Sequence, residues 1–292
     1  MRQKVLKIVS NRAFWRGVAS IVLFLVLWEI GARSKQWMAA DVFLPLREFL
    51  GAVGLKKDYL PWIGAVPAPS AVLASWGTVI GDLSYWHSWY MSFFRVMAGF
   101  TAAMLVGIPF GLALAVSRTT YNIAFPSFEV LRPIPPLAWV PASIIFWPTQ
   151  EMAIAFITFL GAFYTIVINV VGGARSIDTR YFLAAQAMGS SRWDVFRRVV
   201  LPGTLPSIVV GAAVGMGITW EVVVAAEMIS GGGSQIGGTS GGGLGFFIWS
   251  SYIGGSYEQI VVGMISIGVA GYASSELLRW AGHHVTPWLK VR

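Results

Sequence analysis

Long apolar runs separated by short polar segments form the main pattern along the chain. A helix of about 20 residues crosses a hydrocarbon core of roughly 30 Å. Runs of about that length or longer, with few charges, lie at 14–33, 90–117, 121–147, 151–173, 204–229 and 257–280. The pattern predicts an all-α polytopic membrane protein with about six transmembrane helices.

Two stretches depart from this regular pattern. The third run contains prolines, each of which removes a backbone donor, so we expect that span to be bent or broken. The prolines are Pro126, Pro133, Pro135, Pro136 and Pro141. Between the first two runs lies a mixed loop, 34–89, in which the stretch 41–63 predicts a short helix at the membrane interface.

Composition and charge support a chain that lies mostly in lipid. Charged residues make up 12% of the chain, against about 25% in a typical soluble domain. Lysines and arginines concentrate at the N-terminus, after the second run, after the fourth run and at the C-terminus. The positive-inside rule then places both termini in the cytoplasm. The net charge of +8 therefore reflects membrane topology, and we expect contact with lipid and none with nucleic acid.

One basic segment, 183–206, lies between the fourth and fifth runs. Trp193, Phe196 and Val200 share one face of a helix in this segment, and its arginines at 192 and 197 lie away from them. The prolines that follow are expected to end that helix and to start the next span. The pattern allows two interpretations: a helix resting on the lipid surface, or a helix that fits a groove on a cytoplasmic partner.

The spacing within this segment identifies a known signature. Its positions are Ala184, Ala185, Gly189, Val199, Leu201 and Pro202. The spacing resembles the EAA loop of ABC-importer permeases, E-A-A-x3-G-x9-I-x-L-P. Leu183 stands where the family has glutamate, which removes any ion pair that the glutamate makes with a partner. Gly189 suits the tight turn between two short helices that the loop needs.

Further segments resemble the nitrate/sulfonate/taurine/bicarbonate branch of these permeases. They are VPAPSAVLASW at 66–76, HSWYMSFFRVMAGFTAAMLVGIPFGLALAVSR at 87–118, LRPIPPLAWVPASIIFW at 131–147, WEVVVAAEMI at 220–229, GLGFFIWSSY at 243–252 and TPW at 286–288. The resemblance implies a core permease domain, 90–292, with a coupling loop at about 178–203. The cytoplasmic tail, the first transmembrane helix and the long outer loop occupy 1–89.

The resemblance implies the transmembrane subunit of a type I ABC importer in the bacterial inner membrane. Two permease copies surround one pathway, two cytoplasmic ATPases receive the coupling loops, and a periplasmic or lipid-anchored binding protein delivers the solute. The implied substrate is a small oxyanion such as nitrate, a sulfonate such as taurine, or bicarbonate. The residues implied in ATPase coupling are Ala184, Ala185, Gly189, Arg192, Trp193, Phe196, Arg197, Leu201 and Pro202.

The ATP is expected on a partner chain. The sequence contains no G-x-x-x-x-G-K-[ST] phosphate-binding loop, so this chain has no such site for ATP and Mg²⁺. We therefore expect no cofactor on the chain, no catalytic residues, and a transport role instead of an enzymatic one. The three histidines form no metal-ligand pattern, so no metal site is expected.

Polar, charged and large side chains within the spans are candidates for the pathway. An ionised group at bilayer depth costs about 2.5–3.5 kcal/mol, so it should face a cavity or a partner. The candidates are Arg132, Tyr164, Asn169, Met216, Trp220, Glu221 and Glu227, and helix packing or a structural hydrogen bond is the alternative for each. Arg95 is expected near the outer end of its span with its guanidinium reaching the interface.

Three questions stay open at this point. The glutamates at 221 and 227 repel an anion unless neutralised, so a neutral or cationic organic solute is an alternative substrate. A secondary transporter that works without ATP, or an integral-membrane enzyme, is an alternative function, although no coupling-ion site or catalytic set is evident. The glycine-rich loop 231–245 is expected to be a flexible outer linker, with contact to a binding protein or backbone amides near an anion as the alternatives.

Overall fold

The computed structural model describes most of the chain. The described residues are 12–56, 58–229, 235–236, 239–240 and 242–287. They are mainly helical, and a short antiparallel strand pair among them joins Gln235–Ile236 to Thr239–Ser240. The predicted all-α class is therefore confirmed.

The chain divides into two compact units. The first comprises Met1–Asp82 and Ser251–Val262, and the second comprises Leu83–Ser250 and Gly263–Arg292. The functional division at residues 89 and 90 stays a prediction.

The first unit contains the N-terminal helices. They are α1 Arg12–Ala32, α2 Ser34–Trp37, α3 Leu44–Ala52 and α4 Pro69–Val79, with 3-10 turns at Asp41–Phe43 and Ile63–Ala65. Glu29 of α1 holds the start of α4, because its carboxylate accepts the backbone N–H of Ser70 at 3.1 Å and the Ser70 hydroxyl at 2.8 Å. Helix α3 lies within the stretch predicted as a short helix, and its position at a membrane interface stays a prediction.

The second unit contains most of the longer helices. They are α5 Leu83–Val116, α6 Arg118–Leu131, α7 Val140–Phe146, α8 Gln150–Arg175, α9 Thr179–Ala187, α10 Arg192–Val195 and α11 Leu201–Ile229. A 3-10 turn at Pro136–Trp139 precedes α7, and a π-helical turn at Phe196–Val200 precedes α11. Two further helices, α12 Leu244–Ile253 and α13 Tyr257–Val285, have residues in both units.

Within the described part of the chain, five helices are long and apolar enough to cross a membrane. They are Trp15–Ala32, Leu83–Val116, Gln150–Arg175, Arg192–Ile229 and Tyr257–Val285. The predicted third span, 121–147, is not one helix, because α6, the 3-10 turn and α7 divide it near its prolines. The break itself follows from the missing proline donors.

The directions of the helices show how this broken segment runs. Gly99 of α5 lies against Thr158 of α8, and Gly111 lies against Val170, so α5 and α8 are parallel neighbours. Two parallel helices begin at the same end of the bundle, so the chain between them returns along it. Phe128 of α6 packs in the core between the two helices during this return. The chain therefore returns along the bundle in short helical pieces, and a membrane passage in this segment stays a prediction.

Helix α11 runs antiparallel to α8 and packs closely against it. Gly211 lies against Asn169, and Gly215 lies against Ala162 further along the same interface. Small residues at such positions let two helix backbones approach, which favours van der Waals packing and weak backbone contacts. The three helices α5, α8 and α11 therefore form a closely packed frame.

Helices α10 and α11 form one continuous helix through the π-helical turn. The expectation that prolines end a helix here is wrong. The Leu201 N–H donates to the carbonyl of Phe196, five residues earlier, and the Thr204 hydroxyl donates to the carbonyl of Val200 at 2.7 Å. The wider turn lets the helix continue past Pro202, which has no N–H to donate.

Candidate functional site

The coupling loop consists of two short helices whose ends are capped by their own sequence. The Asp178 carboxylate accepts the backbone N–H of Arg180 at 2.9 Å and so caps α9. The Arg180 guanidinium also donates to Asp178 and holds the pKa of that carboxyl below its usual range. At the start of α10, Ser191 and Asp194 cap each other's backbone N–H groups. Local capping therefore fixes both helices at this end of the bundle.

Gly189 makes the turn between these helices. Its φ angle is +74°, in the left-handed region that favours glycine. A Cβ at this position would meet nothing within 4 Å, so the backbone angle and not a lack of space requires the glycine. The tight turn that the sequence predicted is confirmed.

The exposed surface of the loop is aromatic and basic. The rings of Trp193 and Phe196 stack with centroids 5.4 Å apart, and Trp193 is 66% exposed. Arg197 is exposed beside them, whereas Val200 on the predicted shared face is buried. An exposed tryptophan next to a cation is typical of a protein-binding surface. Leu183, in the glutamate position, is also exposed.

The remaining coupling positions differ in their exposure. Ala185 is buried, while Ala184 and Arg192 are exposed and Leu201 and Pro202 are half-buried. A cavity of about 650 Å³ lies between the loop and the ends of α5 and α8. Its lining includes Arg118, Gln186, Arg192 and Phe196. This cavity therefore separates part of the loop from the ends of α5 and α8.

A second cavity, of about 350 Å³, joins three of the predicted pathway residues. Arg132, Tyr164 and Asn169 line it together with Pro136, Leu160, Gly161, Thr165, Ile168 and Ile218. Its walls are mainly apolar, and a guanidinium, a phenol and an amide supply the polar groups. Arg132 pairs with Glu129 one turn earlier on α6 at 3.0 Å, and Asn169 donates to the carbonyl of Thr165 at 2.8 Å. The arrangement suits a small solute with acceptor oxygens.

The other four pathway candidates do not line this cavity. Met216 and Trp220 are each 2% exposed, and the Trp220 indole donates to the hydroxyl of Ser274 at 3.0 Å. Their surroundings are those of packed helix residues. Glu221 is exposed on α11. Glu227 is fully buried and belongs to a separate ion cluster.

This cluster has Arg95 at its centre. The Arg95 Nε donates to Oε2 of Glu151 at 2.7 Å, with Nη2 donating to the other oxygen, and Nη1 donates to Oε1 of Glu227 at 2.9 Å. The expectation that Arg95 reaches the interface is wrong, because its side chain is only 2% exposed. Carboxylates from two other helices satisfy the guanidinium inside the bundle, so it has no need to reach water.

Two members of the cluster were not among the residues predicted from the sequence. Glu151 is the second residue of α8, and Ser92 precedes Arg95 by one helical turn on α5. The Ser92 hydroxyl donates to the Glu227 carboxylate at 2.8 Å. A carboxylate at the start of an apolar span, in a chain with 13 acidic residues, was the available signal for Glu151.

The end of the glycine-rich loop packs on this cluster. The expected flexible linker is wrong for residues 242–245, and residues 230–234, 237, 238 and 241 lie outside the described residues. The Gly245 N–H donates to Oε2 of Glu227 at 2.9 Å, and the Leu244 N–H donates to the Ser92 hydroxyl at 2.8 Å. Backbone amides near an anion were the alternative prediction for this loop, and they describe its last residues. The anion is a carboxylate of the chain itself.

Comparison with known proteins identifies the family. Residues 107–291 match the family of the binding-protein-dependent transport system inner membrane component. The chain belongs to this family. The permease is 35% identical to the nitrate import permease NrtB of Leptolyngbya laminosa over 66% of each chain. It is 32% identical to the taurine permease TauC of Escherichia coli over 76% of this chain and 80% of TauC. It is also 32% identical to the bicarbonate permease CmpB of Synechococcus elongatus, over 90% and 86% of the two chains.

Solved structures show the same fold. The permease matches a chain of the inward-facing MetNI methionine ABC transporter with a TM-score of 0.53 and 22% identity, over 68% of this chain and 92% of that chain. It matches a bacterial ABC transporter that imports the acidic polysaccharide alginate with a TM-score of 0.54 and 15% identity, over 94% and 100%. The chain therefore has the type I ABC importer permease fold and is a membrane-spanning permease subunit. Its relatives are transport permeases.

Proposed function

We propose that the permease forms the pathway of an ATP-driven importer for a small oxyanion. The observation that carries the proposal is the cavity that Arg132, Tyr164 and Asn169 line together. The relatives named for nitrate, taurine and bicarbonate carry solutes with small oxygen-rich anionic groups. Guanidinium and hydroxyl donors are suited to such groups.

The proposal includes the surrounding assembly. The coupling loop faces the cytoplasm, as do both termini, and two ATPase subunits bind it through grooves that accept Trp193 and Phe196. These ATPases hold ATP and Mg²⁺. A second copy of the permease completes the pathway, and a periplasmic or lipid-anchored binding protein delivers the solute in the bacterial inner membrane. The exposed aromatic pair next to Arg197 supports the ATPase contact.

The ion pair of Arg132 with Glu129 shapes the substrate preference. Because Glu129 is one turn away at 3.0 Å, an entering oxyanion competes with it for the guanidinium. Both side chains are more than 40% exposed, so this competition costs little. The same pair also favours a second candidate substrate, a neutral organic solute, because a neutralised cavity with apolar walls suits one.

Reconstitution with the cognate ATPase and binding protein tests the proposal. Uptake of labelled nitrate, taurine and bicarbonate is compared for the permease and for Arg132→Gln. The matched control is Arg279→Gln, which removes another exposed arginine from an i,i+3 pair, with Glu276 at 2.9 Å. We expect Arg132→Gln to raise the KM for the transported anion by about tenfold, because the substitution removes one charge-assisted hydrogen bond.

The outcomes separate the two substrate classes. Unchanged anion uptake in Arg132→Gln contradicts the role of this cavity. Uptake of a neutral solute that is insensitive to Arg132→Gln, together with no anion uptake, supports the second candidate. Full uptake by the permease without any ATPase contradicts the importer assignment itself.

A further inference from the structure

The Arg95 cluster carries an excess of negative charge next to the start of a helix. It contains one guanidinium and the two carboxylates of Glu151 and Glu227. The first amides of α12 point at the buried carboxylate side of this cluster, since Gly245 N–H donates to Glu227 and Leu244 N–H donates to Ser92. The N-terminus of a helix carries partial positive charge, so the uncompensated carboxylate attracts it.

The cluster lies within the closely packed frame. Gly99, one turn after Arg95, lies so close to Thr158 of α8 that an added Cβ would fall within 3.0 Å of its side chain. The contacts of Glu227 with Arg95 and Ser92 join only α11 and α5, so they do not depend on α12. Glu151 is one-third exposed and is also reached by water. Each charge of the cluster therefore retains a partner when α12 departs.

Helix α12 is built differently from the frame. It has ten residues, a length of about 15 Å that is too short to cross a membrane. Glycines at 242 and 243 precede it, and Gly255, with φ at +72°, follows it. Gly243 is required for its seating, because an added Cβ would lie within 3.0 Å of both oxygens of the Glu227 carboxylate. A short helix between glycines can move as a unit, and its departure would also separate Gly245 from the Val224 backbone, against which it packs closely.

We propose that Arg95, Glu151, Glu227 and Ser92 form a fixed anionic socket that seats the N-terminus of α12, and that α12 leaves and re-enters this socket during transport. The inference rests on the proposed function, since it assigns one conformational step of transport to this helix. Arg95 acts as a positioning residue: it lets a carboxylate stay buried in both states.

Thiol labelling tests the seating directly, because the chain contains no cysteine. Ile248→Cys reports on α12 and Ala153→Cys reports on the frame, since these positions are 9% and 1% exposed. Each reporter is combined with Gly243→Ala or Glu227→Gln in membranes that contain the full complex. The matched controls are Gly268→Ala, where an added Cβ meets nothing within 4 Å, and Glu221→Gln, an exposed carboxylate on the same helix as Glu227.

We expect both socket variants to raise the labelling rate of the cysteine at position 248 by about fivefold or more, a factor equal to about 1 kcal/mol. The cysteine at position 153 should stay protected, which shows that the frame remains folded, and the controls should change neither rate. Unchanged labelling at position 248, or equal increases at both positions, overturns the socket.

Movement during transport needs a second comparison. ATP and vanadate are added to the same membranes, and labelling is followed at position 248 and at Met188→Cys, an exposed position of the coupling loop. We expect the nucleotide to change labelling at both positions. A change in the labelling rate at position 188 alone contradicts the proposed movement of α12. No change at position 188, with the socket variants behaving as expected, counts against ATP-driven coupling and leaves the seating standing.

Discussion

The guanidinium of Arg95 donates to the carboxylate of Glu227 across 2.9 Å, and the side chains are 2% and 0% exposed. The two residues lie 132 positions apart in the chain, on α5 and α11. Their pairing fixes the end of the bundle at which α12 begins, whereas Gly189 shapes the coupling loop near the other end of α11. The ion cluster and this turn therefore lie at opposite ends of a largely apolar frame.

Removal of one partner of this pair should destabilise the permease strongly. Glu227→Gln or Arg95→Gln leaves the other group buried with an incomplete set of partners, a change that costs about 3–5 kcal/mol. The double variant Arg95→Met with Glu227→Met removes both charges and should cost clearly less than the sum of the single changes. Denaturant unfolding of the purified protein measures these differences, with Glu221→Gln as the exposed control. Equal losses for all variants would show that the pair has no special role.

Gly189→Ala should weaken the coupling loop without disturbing the frame. Alanine at a φ of +74° is strained by roughly 1 kcal/mol, which favours other loop conformations over this turn and so weakens association with the ATPase by up to about fivefold. Gly172→Ala serves as a control, since an added Cβ there meets nothing within 4 Å and no positive φ is required. Binding of the purified ATPase to permease in nanodiscs measures the effect. Equal affinities for the two variants contradict the role of the turn.

The aromatic surface should connect ATP hydrolysis to uptake. Phe196→Ala combined with Arg197→Ala removes the ring that stacks on Trp193 and the adjacent cation. We expect uptake to fall by about tenfold or more while membrane insertion is retained, as for loss of an interface hot spot. Arg279→Ala, at an exposed arginine outside the loop, is the comparison. ATPase activity and uptake are measured on the same proteoliposomes, and normal coupling in the double variant argues against this surface.

The cap of α9 should fail only in strong acid. The pKa of Asp178 is lowered by the hydrogen bonds from Arg180, so the folded loop binds its proton less tightly than the unfolded chain does. Stability from this cap is therefore present above the ordinary aspartate pKa and is lost as the pH falls through the lowered value. The protection factor of the amides at the start of α9, which corrects for the slower intrinsic exchange in acid, should be high at neutral pH and should fall in acid. Asp178→Ala should already have a low protection factor at neutral pH. A high protection factor in that variant contradicts the capping role.

Much of the fold could be predicted from local pattern. Hydrophobic length predicts the long helices, proline placement predicts the broken return segment, and spacing predicts the turn at Gly189. The family signature around residues 184–202 depends on the same local spacing. These features depend on residues close together in the chain, so the sequence displays them directly.

The Arg95 cluster could not be predicted in the same way. Arg95, Glu151 and Glu227 lie on three helices, and only helix packing decides which of their side chains meet. Considered one at a time, Arg95 was predicted to reach the membrane interface and Glu227 was a candidate pathway residue. The seating of residues 242–245 depends on that same packing. The continuous helix across Pro202 was missed because the π-helical turn has no clear sequence signature.

The central claim is that the coupling loop is the docking surface for a separate ATPase. Photocrosslinking from this loop tests the claim most directly. A photoreactive amino acid replaces Trp193 in the full complex, and the same residue replaces Ile123, an exposed apolar position of α6, as a control. We predict that the probe at position 193 captures the ATPase and that the probe at position 123 does not. Capture of lipid alone at position 193, in membranes that contain the ATPase, would contradict the claim.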